Sequence, residues 1–117
     1  LSIPEVGKML TCRILDILEY KGDDDISISL DYGLVKGNLV VRNRRPGDSM
    51  IPCGMVGRKK IKDIFIDMKV PAEERESRII IADDDNILWL ESFRIHNSYK
   101  VSDSTKKILN ITLEEQH

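Results

Sequence analysis

One apolar stripe of helical spacing stands in a chain otherwise made of short, β-branched runs, and that contrast constrains the fold most. Ile61, Ile64, Phe65 and Met68 fall at i, i+3, i+4 and i+7, the seam of an amphipathic helix. This predicts a helix from about Arg58 to Lys69, with Lys59, Lys60, Lys62 and Asp63 off the stripe. Val70-Pro71 stops it, because a residue before proline avoids helical geometry. Pro71 then suits the first turn of a short polar helix over Ala72 to Ser77. The remaining apolar segments read as strands. Cys12 to Glu19 is rich in Ile and Leu, and Ile26 to Leu30 alternates at period two. The polar turn Lys21 to Asp25 between them predicts an antiparallel hairpin. Leu39 to Val41 continues the β character, and Ile79–Ile81 with Ile87–Leu90 flank Asp83–Asn86 as a second hairpin. Phe93 to Ile95 reads as a further short strand. Ser102 or Asp103 can cap a last short helix through Leu109, and Asn110 to Leu113 alternates as a closing strand. The sum is an α+β fold, a small mixed domain of antiparallel strands with two or three short helices.

At 117 residues the chain has room for one domain, or two small ones. Residues 1–38 are read as leading strands of the same unit, and residues 39–117 as the body of the domain. The chain opens at Leu1 and runs at once into Ile3-Pro4, as a piece of a longer protein would. No run approaches the roughly 18–20 apolar residues of a membrane span, and no signal-peptide pattern opens the sequence. Cys12 and Cys53 belong to no CxxC pair and read as core thiols rather than a disulfide or a zinc site.

The net charge of −2 conceals an uneven distribution. Between Arg42 and Lys62 stand seven cations (Arg42, Arg44, Arg45, Arg58, Lys59, Lys60 and Lys62) against one carboxylate, Asp48. That segment is +6 and the rest of the chain is −8. A polyanion responds to local potential, screened over about 8 Å at physiological salt, so an acidic average does not exclude nucleic acid. Arginine forks suit bidentate phosphate contacts. Gly54 and Gly57 permit close backbone approach as a backbone anion loop, and a helix starting near Arg58 would aim its N–H groups at an anion. Cations in a helix's first turn oppose its dipole, so three of them there point to an external anion. The alternative is a solvated basic face, with Asp48 and Asp63 in local ion pairs or turn caps.

Other constellations lead nowhere chemical. Gly54 to Lys59 lacks P-loop spacing. Asp23–Asp25 and Asp83–Asp85 fill predicted hairpin tips and lack an EF-hand glutamate, so no metal site is assigned. His96 and His117 have no partner at ligand spacing. Trp89 and Phe93 sit among apolar residues and read as core. No nucleophile, base and orienter fall together, so no catalytic residue is assigned.

Leu-Val-Val-Arg-Asn-Arg-Arg-Pro-Gly-Asp at residues 39–48, followed by the Gly54–Gly57 loop and Lys-Lys-Ile-Lys-Asp-Ile-Phe-Ile-Asp-Met-Lys-Val-Pro at residues 59–71, resembles the C-terminal domain of bacterial tRNA(Ile)-lysidine synthase. The likeness continues through Glu74-Arg75, Trp89, Arg94-Ile95 and residues 100–106. Ser49 stands where that family usually has arginine, Cys53 where leucine is common, and Ser92 where a glycine precedes the aromatic-Arg-Ile run. The resemblance implies a small α/β domain related to one in the phenylalanyl-tRNA synthetase β-subunit. It implies a cytoplasmic protein, with tRNA(Ile) bearing a CAU anticodon and an N-terminal catalytic domain as partners. That domain, with ATP and Mg and a Ser-Gly-Gly-x-Asp-Ser loop not found here, would join lysine to the wobble cytidine. The present chain would hold the acceptor-stem region, its seven cations meeting phosphates. The rival expectations are a protein-interaction or dimerisation module, including a homodimer, and an anion-binding regulatory domain.

Overall fold

A computed structural model of the chain describes residues 2–3, 7–24 and 26–115. In chain order the strands are β1 (Ser2–Ile3), β2 (Lys8–Asp16), β3 (Ser27–Asp31), β4 (Val40–Arg42), β5 (Ser49–Met50), β6 (Lys59–Lys60), β7 (Ile80–Ala82), β8 (Ile87–Leu90) and β9 (Lys107–Glu115). The helices are α1 (Ile61–Asp67) and α2 (Ala72–Arg75). Contacts divide the chain into two units, Leu1–Val35 with Tyr99–His117, and Lys36–Ser98. The leading strands therefore share their unit with the chain's tail, and the expected boundary near residue 38 falls at Val35/Lys36 with a second at Ser98/Tyr99.

The first unit is an antiparallel sheet in the order β1-β2-β9-β3. The expected hairpin between the first two long strands does not form. Strand β9 lies between them, pairing with β2 from Lys8↔Glu115 to Asp16↔Lys107 and with β3 from Ser27↔Thr112 to Asp31↔Ile108. Ile108, Leu109 and Ile111 of this central strand are at most 1% exposed. The short helix expected through Leu109 is also absent. Ser102 N–H donates to Thr105 Oγ1 (2.8 Å), and that hydroxyl donates to the buried Asp31 carboxylate (2.9 Å), closing a turn from which β9 departs extended. Cys12 is exposed and Cys53 half-buried, so neither is a core thiol. Cys12 lies on β2 beyond the two residues that β1 covers.

The second unit carries the three-stranded sheet β4-β7-β8 and the two-stranded ribbon β5-β6. A bulge at Ile81/Ala82 interrupts the β7-β8 hairpin, as the sequence around Asp83–Asn86 predicts apart from the bulge. Phe93–Ile95 makes no strand, only the single bridge Trp89↔Ile95, and the next residue, His96, bridges to Pro52. The predicted helical stripe holds: Ile61, Ile64 and Phe65 are buried against Met50, Ile80 and Leu90, with Met68 and Phe93 partly buried beside them. Trp89 is buried as expected.

The helix is shorter than its periodicity suggests. Lys59 and Lys60 pair with Met50 and Ser49, and Lys60 keeps an extended backbone at φ −73°, ψ 141°. The ribbon thus claims residues that the apolar stripe leaves undecided. At the other end Lys69 turns left-handed at φ 57°. Lys69 N–H donates to the Ile66 carbonyl (3.0 Å) and Val70 N–H to that of Phe65 (3.0 Å). These two bonds form a Schellman stop, with Val70 and Phe65 as its apolar pair. Pro71 follows the stop rather than causing it.

Ser92 is the other non-glycine residue with positive φ, at 65°, where the resembling family uses glycine. A side chain there is strained, although glycine also carries more unfolded-state entropy. Ser92→Gly is expected to stabilise the chain by about 0.5–1 kcal/mol, read as a higher urea midpoint. An unchanged or lowered midpoint would contradict the strain.

Candidate nucleic-acid interface

The basic segment is organised around its one carboxylate. Arg45-Pro46-Gly47-Asp48 closes a turn through Asp48 N–H to the Arg45 carbonyl (3.1 Å), with Gly47 at φ 85°. Proline at the second position and a left-handed glycine at the third match the type II pattern. The turn delivers the Asp48 carboxylate to three donors. Oδ2 accepts from Arg42 Nη1 (2.7 Å) and from Arg45 N–H (2.8 Å), and Oδ1 accepts from Arg42 Nη2 (3.1 Å). The Asp48 carbonyl accepts the first N–H of α1, from Ile61 (2.9 Å). One residue therefore ties the end of β4, the Pro-Gly turn and the start of α1 together. Burial pushes the Asp48 carboxyl upward. The Arg42 hydrogen bond, the Arg45 N–H and the charges of both arginines outweigh that and hold it below the ordinary aspartate value.

The seven cations fall into distinct roles. Arg42 is bound bidentately to Asp48, with side chains only 15% and 13% exposed. It is a structural ion pair. Arg44, Arg45, Lys60 and Lys62 line one open groove of about 430 Å³ together with Pro46, Gly47, Asp48 and Glu76. Arg44 lies over the Phe65 ring, 5.7 Å from its centroid, and donates to Glu76 Oε1 (3.0 Å). Arg45, Lys60 and Lys62 are exposed and have no ion-pair partner among the described residues. Arg45 also borders an adjoining groove with Arg42 and Arg58, across which stand Asp83, Asp84 and Asp85. Arg58 donates to Ser49 Oγ (3.2 Å), at the position where arginine is usual in the resembling family. Lys59 lines neither groove and pairs with Asp67 of α1.

Two expectations about this segment change. Arg58, Lys59 and Lys60 are not in the helix's first turn, so their charges do not oppose its dipole there; only Lys62 stands in it. Gly54 adopts φ 85° and donates its N–H to Asn97 Oδ1 (3.1 Å). That amide is committed to a turn, and the first amide of α1 is committed to Asp48.

The acidic tips are backbone caps. Asp83 accepts N–H groups from Lys36 (2.9 Å), Asp85 (2.9 Å) and Asn86 (2.8 Å), and Asp84 accepts one from Asn38 (3.3 Å). Gly37, at φ 71°, leaves the space that the Asp84 carboxylate fills. In the first unit Asp24 accepts the Ile26 N–H (3.0 Å); Asp25 lies outside the described residues, as does His117. His96 is buried, and its Nδ1 accepts the Ser98 N–H (3.1 Å). Burial first, then the charge of Arg58, hold it below the usual histidine value against the opposing pull of Asp83. Phe65 and Glu76 escaped the sequence reading: one was assigned only to the core, and the other reaches Arg44 across 32 positions.

The chain is thus a small α+β domain with antiparallel sheets, two helices and a cation-lined groove. Residues 39–112 match the family described as the TilS substrate C-terminal domain. The chain belongs to that family. It is 37% identical over 98% of its length to the tRNA(Ile)-lysidine synthase of Clostridioides difficile (strain 630), and 32% identical over 98% to that of Symbiobacterium thermophilum. It spans about a quarter of the length of these curated relatives, 25% and 24%. Its fold matches a crystal structure of a TilS C-terminal domain with TM-score 0.81 and 26% identity, covering 96% of this chain and 87% of that one. An N-terminal fragment of the phenylalanyl-tRNA synthetase β-subunit from Pyrococcus horikoshii shares the fold alone, at TM-score 0.59 and 13% identity over 74% of this chain and 27% of the other.

Asp48→Asn leaves the half-buried Arg42 charge without its counter-ion and is expected to cost about 2 kcal/mol at neutral pH. Because the folded carboxyl sits below the ordinary aspartate value of 3.8, its contribution is complete above that value and fades as pH falls through the lower, folded one. Urea denaturation from about pH 6 down to about pH 3 checks both points: the gap between wild type and variant should narrow towards the acid end. A gap that stays constant would contradict the pairing.

Proposed function

We propose that this chain is the tRNA-holding domain of a tRNA(Ile)-lysidine synthase. It grips the acceptor-stem region of tRNA(Ile) bearing the CAU anticodon. An N-terminal domain of the same protein, using ATP and Mg, ligates lysine to the wobble cytidine. The similarity to tRNA(Ile)-lysidine synthases supports the parent reaction. The observation that carries the local reading is the gathering of Arg44, Arg45, Lys60 and Lys62 around one open groove, three of them without a carboxylate partner among the described residues. Arg58 extends this surface along the adjoining groove, while Arg42 is held by Asp48 and Lys59 is paired with Asp67. A-form RNA is read mainly through backbone and shape, which a groove of cations without a base-reading aromatic suits. No helix among the described residues is long and apolar enough to cross a membrane, which is compatible with a cytoplasmic setting.

A second reading draws on a separate feature. Beyond Met9, strand β2 is paired among the described residues only with β9, and Ile14 and Leu18 are exposed nearby. Such an edge can accept another strand, as a dimerisation or docking module would require. Sedimentation at several concentrations, without RNA, addresses it.

A titration with a tRNA(Ile) transcript at two salt concentrations tests the first reading. Arg45→Glu, Lys60→Glu and Lys62→Glu should each weaken binding about tenfold and lower the log–log salt slope by about one. Lys59→Glu should cost much less. Binding indifferent to all of these reversals would reject the groove.

A further inference from the structure

Two arginines of the basic segment are paired with carboxylates, and the two pairs differ in kind. Arg42 and Asp48 are both shielded and share two hydrogen bonds, with a third donor from the Arg45 backbone. Arg44 and Glu76 share one, at 3.0 Å, and the Glu76 side chain is 66% exposed. Glu76 follows the short helix α2 and stands on the rim of the groove otherwise lined by Arg44, Arg45, Lys60 and Lys62. An exposed single-contact pair opens at little cost. Arg44 would not lose its place when it opened, because the Phe65 ring lies beneath the guanidinium independently of Glu76.

We infer that Glu76 is a displaceable counter-anion occupying the position on Arg44 that an RNA phosphate takes when the groove is filled. This rests on the reading of the groove as an RNA surface, and it adds a device that tempers that surface. In the free chain the carboxylate satisfies a guanidinium fork that would otherwise stand open beside three further cations. A phosphate entering the groove exchanges for it, and Glu76 swings toward solvent. The carboxylate thus lowers affinity for every phosphate chain. The penalty is the same for each, and it depletes occupancy most where the groove is the ligand's only contact, which favours a ligand held at several points over a short duplex. The Asp48 carboxylate has no such role, since its removal would unseat Arg42 and leave the Arg45 N–H of the Pro-Gly turn without its acceptor.

The test compares Glu76→Gln with Glu73→Gln in binding of the 117-residue chain to the tRNA(Ile) transcript at fixed salt. Both variants remove one negative charge from the same exposed segment, but Glu73 does not line the groove. Glu76→Gln should tighten binding about threefold more than Glu73→Gln. Adding Arg44→Gln should erase that difference. Equal effects of the two glutamine variants, or a gain that survives loss of Arg44, would overturn the inference while leaving the groove intact. Absence of tRNA binding in wild type and both variants would instead overturn the reading on which it rests.

Discussion

The hydrogen-bonded pair between Arg42 and Asp48 is the constraint on which the basic surface depends. A type II turn brings the carboxylate back to the end of β4, and its carbonyl fixes the first residue of α1. Strand, turn and helix start are then held in one arrangement by a single residue. The cost of removing both charges from water is met by three hydrogen bonds to the carboxylate, the condition under which a shielded pair contributes net order. With that frame set, Arg44 and Arg45 leave the turn towards one groove, to which the β5-β6 ribbon supplies Lys60 and the first turn of α1 supplies Lys62.

This arrangement divides the cations by what surrounds them. A guanidinium already satisfied by a shielded carboxylate is scaffold, whereas an exposed one without an anion is available to a ligand. Counting charges alone merges the two classes, and the +6 of the segment overstates what could reach RNA. It also explains how an acidic chain can serve a polyanion. Of the carboxylates lining the groove, Asp48 is held by Arg42 and the Arg45 amide and Glu76 stands on the rim, while Asp83 beside the adjoining groove accepts backbone amides. In the proposed reading, a surface of a few phosphate contacts is weak and salt-sensitive alone, and gains selectivity when a second domain holds the same tRNA elsewhere.

Much of this was legible in the sequence, and the exceptions have physical causes. The stripe Ile61, Ile64, Phe65 and Met68 located α1, and Pro46-Gly47 located the turn, because both signals are local. The start of α1 was misplaced by three residues because Lys59 and Lys60 pair with Ser49 and Met50, a contact that helical periodicity does not register. The order β1-β2-β9-β3 was hidden for the same reason, since adjacency in sequence between β2 and β3 suggests a hairpin whose place β9 takes. The basic cluster itself was visible by composition, and Asp48 was recognisable as an ion-pair or turn-cap candidate. Which cations were committed was not visible, because Glu76 and Asp67 approach Arg44 and Lys59 only after folding.

Backbone amide resonances of the chain, followed while an unmodified tRNA(Ile) transcript is added at low salt, address the central claim most directly. The account predicts shifts concentrated at residues 44–48 and 58–62, with the outer edge of β2 undisturbed. Shifts confined to residues 10–18, with the groove silent, would contradict it.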